Sequence, residues 1–287
     1  MFTFLGTSAG EQYPGVFCNC GNCSKARELG GRNIRRNSSA ILGNHTLLDF
    51  GPAIANQLDA FGHSFLTIDT LLVTHAHEDH FFPWYLRWRL FPEDQTTNPQ
   101  GYEKGPTFTK PLPLTIYGSE RVRELTLQAI KHDEKNHHLE VVVLEPWKQY
   151  TAKHVRFVPL VANHDFRQDC YNFVIEYQGK AMLYAVDTAW FLPEAMEFLK
   201  GYTFDLVVME GTFGFNEQHD YKAPGHCNFL ANRKAREWML EENMIQASTP
   251  FVITHTGPHH APPHDECEGL LAKWDLKLAY DGMQVKL

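Results

Sequence analysis

The sequence predicts an α/β fold in which two facing sheets are flanked by helices and a site lies along one edge. Three observations predict it. Apolar runs of strand length dominate each half of the chain, with amphipathic runs of helix length between them. Several of the apolar runs stop at a polar residue with metal-binding chemistry, as strands do when their ends carry a site. The chain has 287 residues and is 43% hydrophobic, enough to bury the core of one large domain, which we assign to 1–287.

The elements follow in order. Phe2-Thr3-Phe4-Leu5 reads as the first strand and Leu5 to Gly10 as a glycine-rich turn after it. Runs at 39–42 and 46–49 are strands, and 53–61 is helical. The buried run 70–74 is a strand that leads into the most informative stretch of the chain. Runs at 114–117 and 141–144 are strands, with a helix at 119–131 between them. In the second half 154–160, 171–177, 181–186, 205–209 and 250–254 are strands, and 193–200, 228–241 and 265–274 are helices. Asn228 is placed to cap the helix that it opens. From about Trp84 to Pro113 the rhythm breaks, with Pro92, Pro99, Pro106, Pro111 and Pro113 among many aromatics. That segment, 84–113, is expected to be a long inserted loop beside the site. There is no repeat and no low-complexity tract.

His75-Ala76-His77-Glu78-Asp79-His80 places four potential metal ligands within six residues. Imidazoles and a carboxylate suit zinc, manganese or iron. His75 and His77 lie two apart and can converge on one ion, while Asp79 and His80 are thrown toward a second. Such a turn leaves each ion short of ligands. Three later apolar runs each end in a candidate: Val155–Ala162 at Asn163-His164-Asp165, Ala181–Val186 at Asp187, and Pro250–Thr254 at His255. A pair of ions ~3.5–4 Å apart, sharing a carboxylate, needs such a set.

In this order the residues resemble the metallo-β-lactamase superfamily, from Phe4 to His255. The resemblance implies an αββα sandwich of two mixed sheets. It implies that His75, His77 and His164 bind a first metal, that Asp79, His80 and His255 bind a second, and that Asp187 bridges them. Asp49, in Leu47-Leu48-Asp49-Phe50-Gly51, matches the superfamily's early aspartate and would orient a ligand histidine through a hydrogen bond. Asp79 is counted with the catalytic residues as well as the ligands.

Cys18-Asn19-Cys20-Gly21-Asn22-Cys23 adds three thiols too close together for core packing alone. Three Cys and a His make a closed structural zinc site. This N-terminus resembles two subfamilies, the phosphoribosyl cyclic phosphate phosphodiesterase of the carbon–phosphorus lyase pathway and the protein of pyrroloquinoline quinone biosynthesis. The complete H-x-H-x-D-H pattern favours the first. That resemblance implies a fourth zinc ligand just after the last active-site histidine, with His259 the first choice and His260 the second; Cys227 and Cys267 are further alternatives. Phosphodiesterases of the superfamily, tRNA 3′-processing endonucleases included, carry a Gly-His at the start of a helix in the region of Gly225-His226. The resemblance therefore implies that His226 is a general acid or phosphate binder, a task suited to its pKa.

Composition bounds the partners. A net charge of -8 argues against a broad nucleic-acid surface. No apolar run approaches the ~20 residues that cross a bilayer, and no signal peptide is read at the N-terminus. Six cysteines, three of them clustered, fit a reducing compartment, so a cytoplasmic location is expected. The basic run Arg32 to Arg36 is a solvated face or a rim able to offer a guanidinium to phosphate. His45, His63, His132, His137, His138, His154 and His219 are read as surface or turn residues.

The expected function is hydrolysis of a small, cyclic phosphodiester by a metal-bound hydroxide, using two divalent ions (zinc or manganese) and one structural zinc. The expected partner is that small-molecule substrate, with a homodimer as the assembly to look for. The alternatives are a metallo-hydrolase acting on a carbonyl (thioesterase, lactonase or β-lactamase) and a non-catalytic scaffold like the quinone-pathway protein.

Overall fold

The structure is a computed structural model and describes residues 1–91 and 110–287. The first half supplies β1 (Phe2–Gly6), α1 (Gly21–Leu29), β2 (Ser39–Leu42), β3 (Thr46–Leu48), α2 (Ile54–Ala60), β4 (Thr70–Leu72), β5 (Leu114–Gly118), α3 (Glu120–Ala129), α4 (Glu134–His137) and β6 (Leu139–Val143). The second half supplies β7 (Tyr150–Thr151), β8 (Arg156–Val161), β9 (Tyr171–Tyr177), β10 (Lys180–Ala185), α5 (Pro193–Leu199), β11 (Leu206–Glu210), α6 (Phe229–Glu241), β12 (Phe251–Thr254), α7 (His264–Leu271), β13 (Lys277–Leu278) and β14 (Gln284–Val285).

The strands form two seven-stranded sheets, in the orders β14-β1-β2-β3-β4-β5-β6 and β13-β12-β11-β10-β9-β8-β7. Both are mixed. Strands β3 to β6 run parallel, and β14 to β3 antiparallel. In the second sheet β10 to β13 are parallel and β7 to β10 antiparallel.

Side-chain alternation explains why the strands read as unbroken apolar runs. Phe2, Phe4, Leu42, Leu48 and Leu72 face Phe173, Ile175, Met182, Tyr184, Val208 and Val252 in the core between the sheets. Their neighbours Leu5, Ile41, Leu47 and Leu71 pack outward with Ile54, Leu58, Val122 and Leu127 of α2 and α3. On the other side Leu183, Val207, Met209 and Ile253 pack outward with Ala195, Phe229, Met239 and Leu271 of α5, α6 and α7. A sheet buried on both faces has no polar side to alternate with. The αββα sandwich is the fold observed.

Most of the expected 84–113 loop, residues 92–109, lies outside the described residues. Its start is not loop: Pro83–Arg89 forms 3-10 turns that bury Pro83 and Leu86. The basic run also differs from expectation. Arg35 is 1% exposed and donates to Thr256 Oγ1, with its other terminal nitrogen 3.2 Å from His264 Nδ1. Arg32 stacks over the Tyr280 ring and Arg36 pairs with Asp281, so these guanidinium groups tie the chain to its own C-terminal segment. His137 is buried rather than on the surface, because α4 turns it inward and its Nδ1 lies 2.7 Å from Asp133 O.

Candidate metal centre

All the metal-type residues predicted from strand ends leave their strands at one edge of the sandwich. Asp49 follows β3, His75 to His80 follow β4, His164 follows β8, Asp187 follows β10 and His255 follows β12. Asp49, Asp187 and His255 each have a positive φ, at 62°, 53° and 51°. Non-glycine residues in that region are uncommon, Asp and His are enriched among them, and they cluster where a site needs a sharp turn. Gly51 has a steric reason as well, since a Cβ there would fall 2.2 Å from Asp79 O.

The structure brings His75, His77, His164 and Asp187 into one group and Asp79, His80, Asp187 and His255 into another. In the first, His75 Nε2 lies 2.8 Å from His77 Nδ1, and His164 Nε2 lies 3.3 Å from the same nitrogen. Asp187 Oδ2 is 3.3 Å from His75 Nε2 and 3.5 Å from His164 Nε2. In the second, His80 Nε2 is 3.1 Å from His255 Nε2 and 3.3 Å from Asp79 Oδ2. Asp187 Oδ2 is also 3.3 Å from His80 Nε2, so one oxygen faces both groups.

These spacings fit metal ions. Donors ~2.0–2.1 Å from a tetrahedral ion stand ~3.3 Å from one another, and these spacings run from 2.8 to 3.5 Å around that value. Asp187 Oδ1 is buried without a hydrogen-bond partner although His255 Nε2 approaches to 2.9 Å, an approach lacking hydrogen-bond geometry. An unsatisfied buried carboxylate oxygen among inward-facing imidazole nitrogens calls for a cation.

Each of the five histidines is held from behind, as metal-binding histidines are. His80 Nδ1 lies 2.8 Å from Asp49 Oδ2, while Asp49 Oδ1 accepts from Thr74 N and Thr74 Oγ1. His75 Nδ1 faces Thr74 Oγ1 at 3.0 Å, and His164 Nδ1 faces Gly225 O at 2.9 Å. His255 Nδ1 faces Thr212 Oγ1 at 2.9 Å, and His77 Nε2 faces Asp165 Oδ2 at 3.2 Å. The local field separates these rings. Burial, with His80 nearby, pulls His75 down to about 3. Burial pulls His255 down too, but Asp187 outweighs it and lifts the ring to about 10. Burial opposes ionisation of Asp79, yet His80 and His255 hold its carboxyl well below the usual range.

His226 stands outside both groups of four. Its Nδ1 lies 2.9 Å from Glu210 Oε1 and 3.8 Å from Asp187 Oδ1, and its ring meets His164 edge-on and stacks on His255. Burial lowers its pKa, but Glu210 and Asp187 reverse that and raise it. Asn228 caps α6 by accepting from Ala231 N, which fixes the approach of the Gly225-His226 segment. Glu210 was not among the sequence candidates. It is fully buried and accepts from Thr188 N, Cys227 N and Thr212 N besides facing His226. Its signal was the same as for the others, an apolar run, Leu206-Val207-Val208-Met209, ending in an acid. Asp165 stands in the strand-end motif Asn163-His164-Asp165 but was given no role there, and Thr212 was missed, with nothing in its local sequence to distinguish it. His219 stacks on Phe213 and its Nε2 faces His226 O at 2.8 Å, so it supports the site rather than lying idle in a turn.

The thiols gather at the start of α1. Cys18, Cys20 and His259 offer ligand atoms within 4.8 Å of one another. Cys20 N donates to Cys18 Sγ, and chiefly a hydrogen bond from the Cys23 backbone pulls the Cys20 thiol down to about 7. Burial pushes the Cys23 thiol up to about 12, and Gly15 N donates to its Sγ. The alternatives lie elsewhere: His260 faces Phe213, Cys227 sits beneath Glu210, and Cys267 is buried in α7.

Comparison with known proteins agrees with this geometry. Residues 44–255 match the family model described as a beta-lactamase superfamily domain. The fold is similar to that of a new diphosphatase from the PhnP family, with TM-score 0.73 and 18% identity over 99% of this chain and 95% of that one. It is also similar to zinc-bound PqqB from Methylobacterium extorquens, with TM-score 0.70 and 17% identity over 100% of this chain and 99% of that one. Human tRNase Z, short form, gives TM-score 0.66 and 18% identity over 99% of this chain and 98% of that one. At these identities the likeness establishes the fold. No curated protein sequence matches the chain. Among the described residues no helix is long and apolar enough to cross a membrane.

Proposed function

The chain belongs to the beta-lactamase superfamily, and from that premise we propose that it is a binuclear metal-dependent phosphodiesterase acting on a small, cyclic phosphodiester. The observation that carries the reading is the position of Asp187, whose Oδ2 faces His75 and His164 on one side and His80 on the other. His75, His77 and His164 are proposed as ligands of one ion, and Asp79, His80 and His255 as ligands of the other, with Asp187 shared and Asp49 steadying His80. What two such ions supply when bound is a water acidic enough to ionise near neutral pH and positive charge for a phosphate oxygen.

The rest is done by the chain. His226 is proposed as the general acid. Glu210 accepts a hydrogen bond from its Nδ1–H, which leaves Nε2–H as the end that faces a substrate and protonates the departing oxygen. Asp79 is 19% exposed at its side chain, more than Asp187 at 3%, and stays ionised, so it combines a ligand role with a face open to the reacting water. Cys18, Cys20, Cys23 and His259 are proposed to hold a structural zinc that pins the N-terminal loop beside the site.

Support for phosphodiester chemistry comes from the His226–Glu210 pair, which lies outside the ligand set, and from neighbours described as a diphosphatase and a tRNase. The test is turnover of bis-p-nitrophenyl phosphate by metal-loaded protein, set against a thioester and a lactone. Faster cleavage of either acyl substrate would move the assignment to carbonyl chemistry. No cleavage of any of them, with metal only at the cysteine cluster, would make the protein a scaffold.

A further inference from the structure

The edge of the sandwich opposite the metal centre carries a second, smaller convergence of metal-binding side chains. His45 lies in the turn between β2 and β3, Asp69 immediately precedes β4, and His154 lies in the turn between β7 and β8. Ligand atoms of the three lie within 4.8 Å of one another. The metal centre is built from residues that follow strands, whereas this trio is built from residues that precede β3, β4 and β8. His45 and Asp69 therefore belong to the first sheet and His154 to the second.

The groups are oriented as ligands are. His45 Nδ1 lies 2.8 Å from Thr67 O. A carbonyl only accepts, so Nδ1 donates and Nε2 is the nitrogen left to face a metal, the usual orientation of a metal-binding imidazole. His154 Nε2 is 3.2 Å from Asp69 Oδ2, and the two imidazoles stack with centroids 4.5 Å apart. Asp69 is buried, and Thr70 Oγ1 donates to its Oδ1 at 2.9 Å. Its backbone is fixed on both sides, with Asp69 N donating to His45 O and Thr115 N to Asp69 O. The competing cation is Lys153, whose Nζ is 3.4 Å from Asp69 Oδ2 on a side chain 61% exposed and free to turn into solvent.

We propose that His45, Asp69 and His154 form a peripheral divalent-metal site that ties the two sheets together at the edge away from the metal centre. Two imidazoles and one carboxylate suit a borderline ion such as Zn²⁺ better than Mg²⁺ or Ca²⁺, which prefer all-oxygen sets. An ion there holds the β7–β8 turn against the first sheet. Because Lys153 competes for Asp69, the site fills reversibly as free metal rises.

The test is calorimetric titration with Zn²⁺ of full-length protein whose metal centre and cysteine cluster are already loaded. Wild type should take up one further, weaker equivalent and gain thermal stability on doing so. His154→Gln alters an exposed turn residue, so the fold is retained. It should keep the tightly held metals and weaken the extra equivalent by at least the ~10–100-fold that follows from disturbing a ligand's support. Lys153→Ala should strengthen that equivalent. If wild type takes up no further zinc, or if His45→Gln and His154→Gln bind it as wild type does, the trio is an ion pair and the proposal is overturned.

Discussion

Glu210 Oε1 lies 2.9 Å from His226 Nδ1. The carboxylate is completely buried and also accepts from the Thr188, Cys227 and Thr212 amides, so it cannot swing away and His226 is the donor of the pair. In the proposed reaction Glu210 would be a positioning residue, since it accepts from His226 Nδ1 and raises the pKa of that ring.

That relationship gives the first prediction. A general acid works in its protonated form, so activity falls as pH rises through the His226 pKa. Burial lowers that pKa and Glu210 is the largest influence raising it. Glu210→Gln removes the charge, so the alkaline limb of kcat/KM should move to lower pH while bound metal is unchanged. A pH profile on a substrate with a poor leaving group checks it; an unmoved limb would remove Glu210 from this role.

His226→Ala should keep its fold and tightly bound metals but lose ~10²–10⁴-fold in turnover of a substrate with a poor leaving group. With p-nitrophenolate as leaving group, little protonation is needed and the loss should be smaller. Steady-state kinetics on both substrates decide the matter. Equal losses indicate phosphate binding instead of proton donation, and no loss places His226 outside the reaction.

Metal content should follow the geometry. Protein purified without chelator should hold three tightly bound equivalents by elemental analysis, and replacing Cys18, Cys20 and Cys23 with Ser should remove one. Asp187→Ala should weaken both ions of the centre, because one carboxylate oxygen faces both groups of donors. A variant that still binds both as wild type does would show that Asp187 is not shared.

A fourth prediction concerns acid stability. Burial, with Arg35 and Arg32 nearby, pulls His264 down to about 4 when folded, against ~6.5 in an unfolded chain. The unfolded state therefore binds the proton first, and the contribution of His264 is complete above ~6.5 and is lost as pH falls toward 4. His264→Gln keeps an acceptor for Arg35 without a titrating ring. Denaturant midpoints of wild type should fall more steeply over that window than those of the variant, and parallel curves would contradict the assignment.

Much of this arrangement was legible in the sequence because both sheets are buried on two faces. Their strands appear as apolar runs, and a ligand-type residue at the end of each run stands out. His164, Asp187 and His255 stand out in that way, and the structure brings them into the two groups of donors. Glu210 was missed although Leu206 to Met209 points to it, since a single Glu without a ligand-like neighbour reads as a strand ending at the surface. Arg35 was read as solvated because a charge run usually is; only the packed structure shows Thr256 and His264 beside it. Strands β7, β13 and β14 are two residues long, too short to show a period. In α1 only Cys23 and Ala26 are buried, so it has no apolar stripe to read. Asp165 and Thr212 contact His77 and His255 across long stretches of sequence, and no local pattern encodes those pairings.

The most direct test of the phosphodiesterase assignment is phosphorus NMR of a small five-membered cyclic phosphodiester incubated with metal-loaded protein, with Asp187→Asn run alongside. The account predicts that wild type converts the cyclic resonance to that of a ring-opened monoester, and that the variant does not. A cyclic resonance that persists with fully metallated wild type, while a lactone or thioester is cleaved, would contradict it.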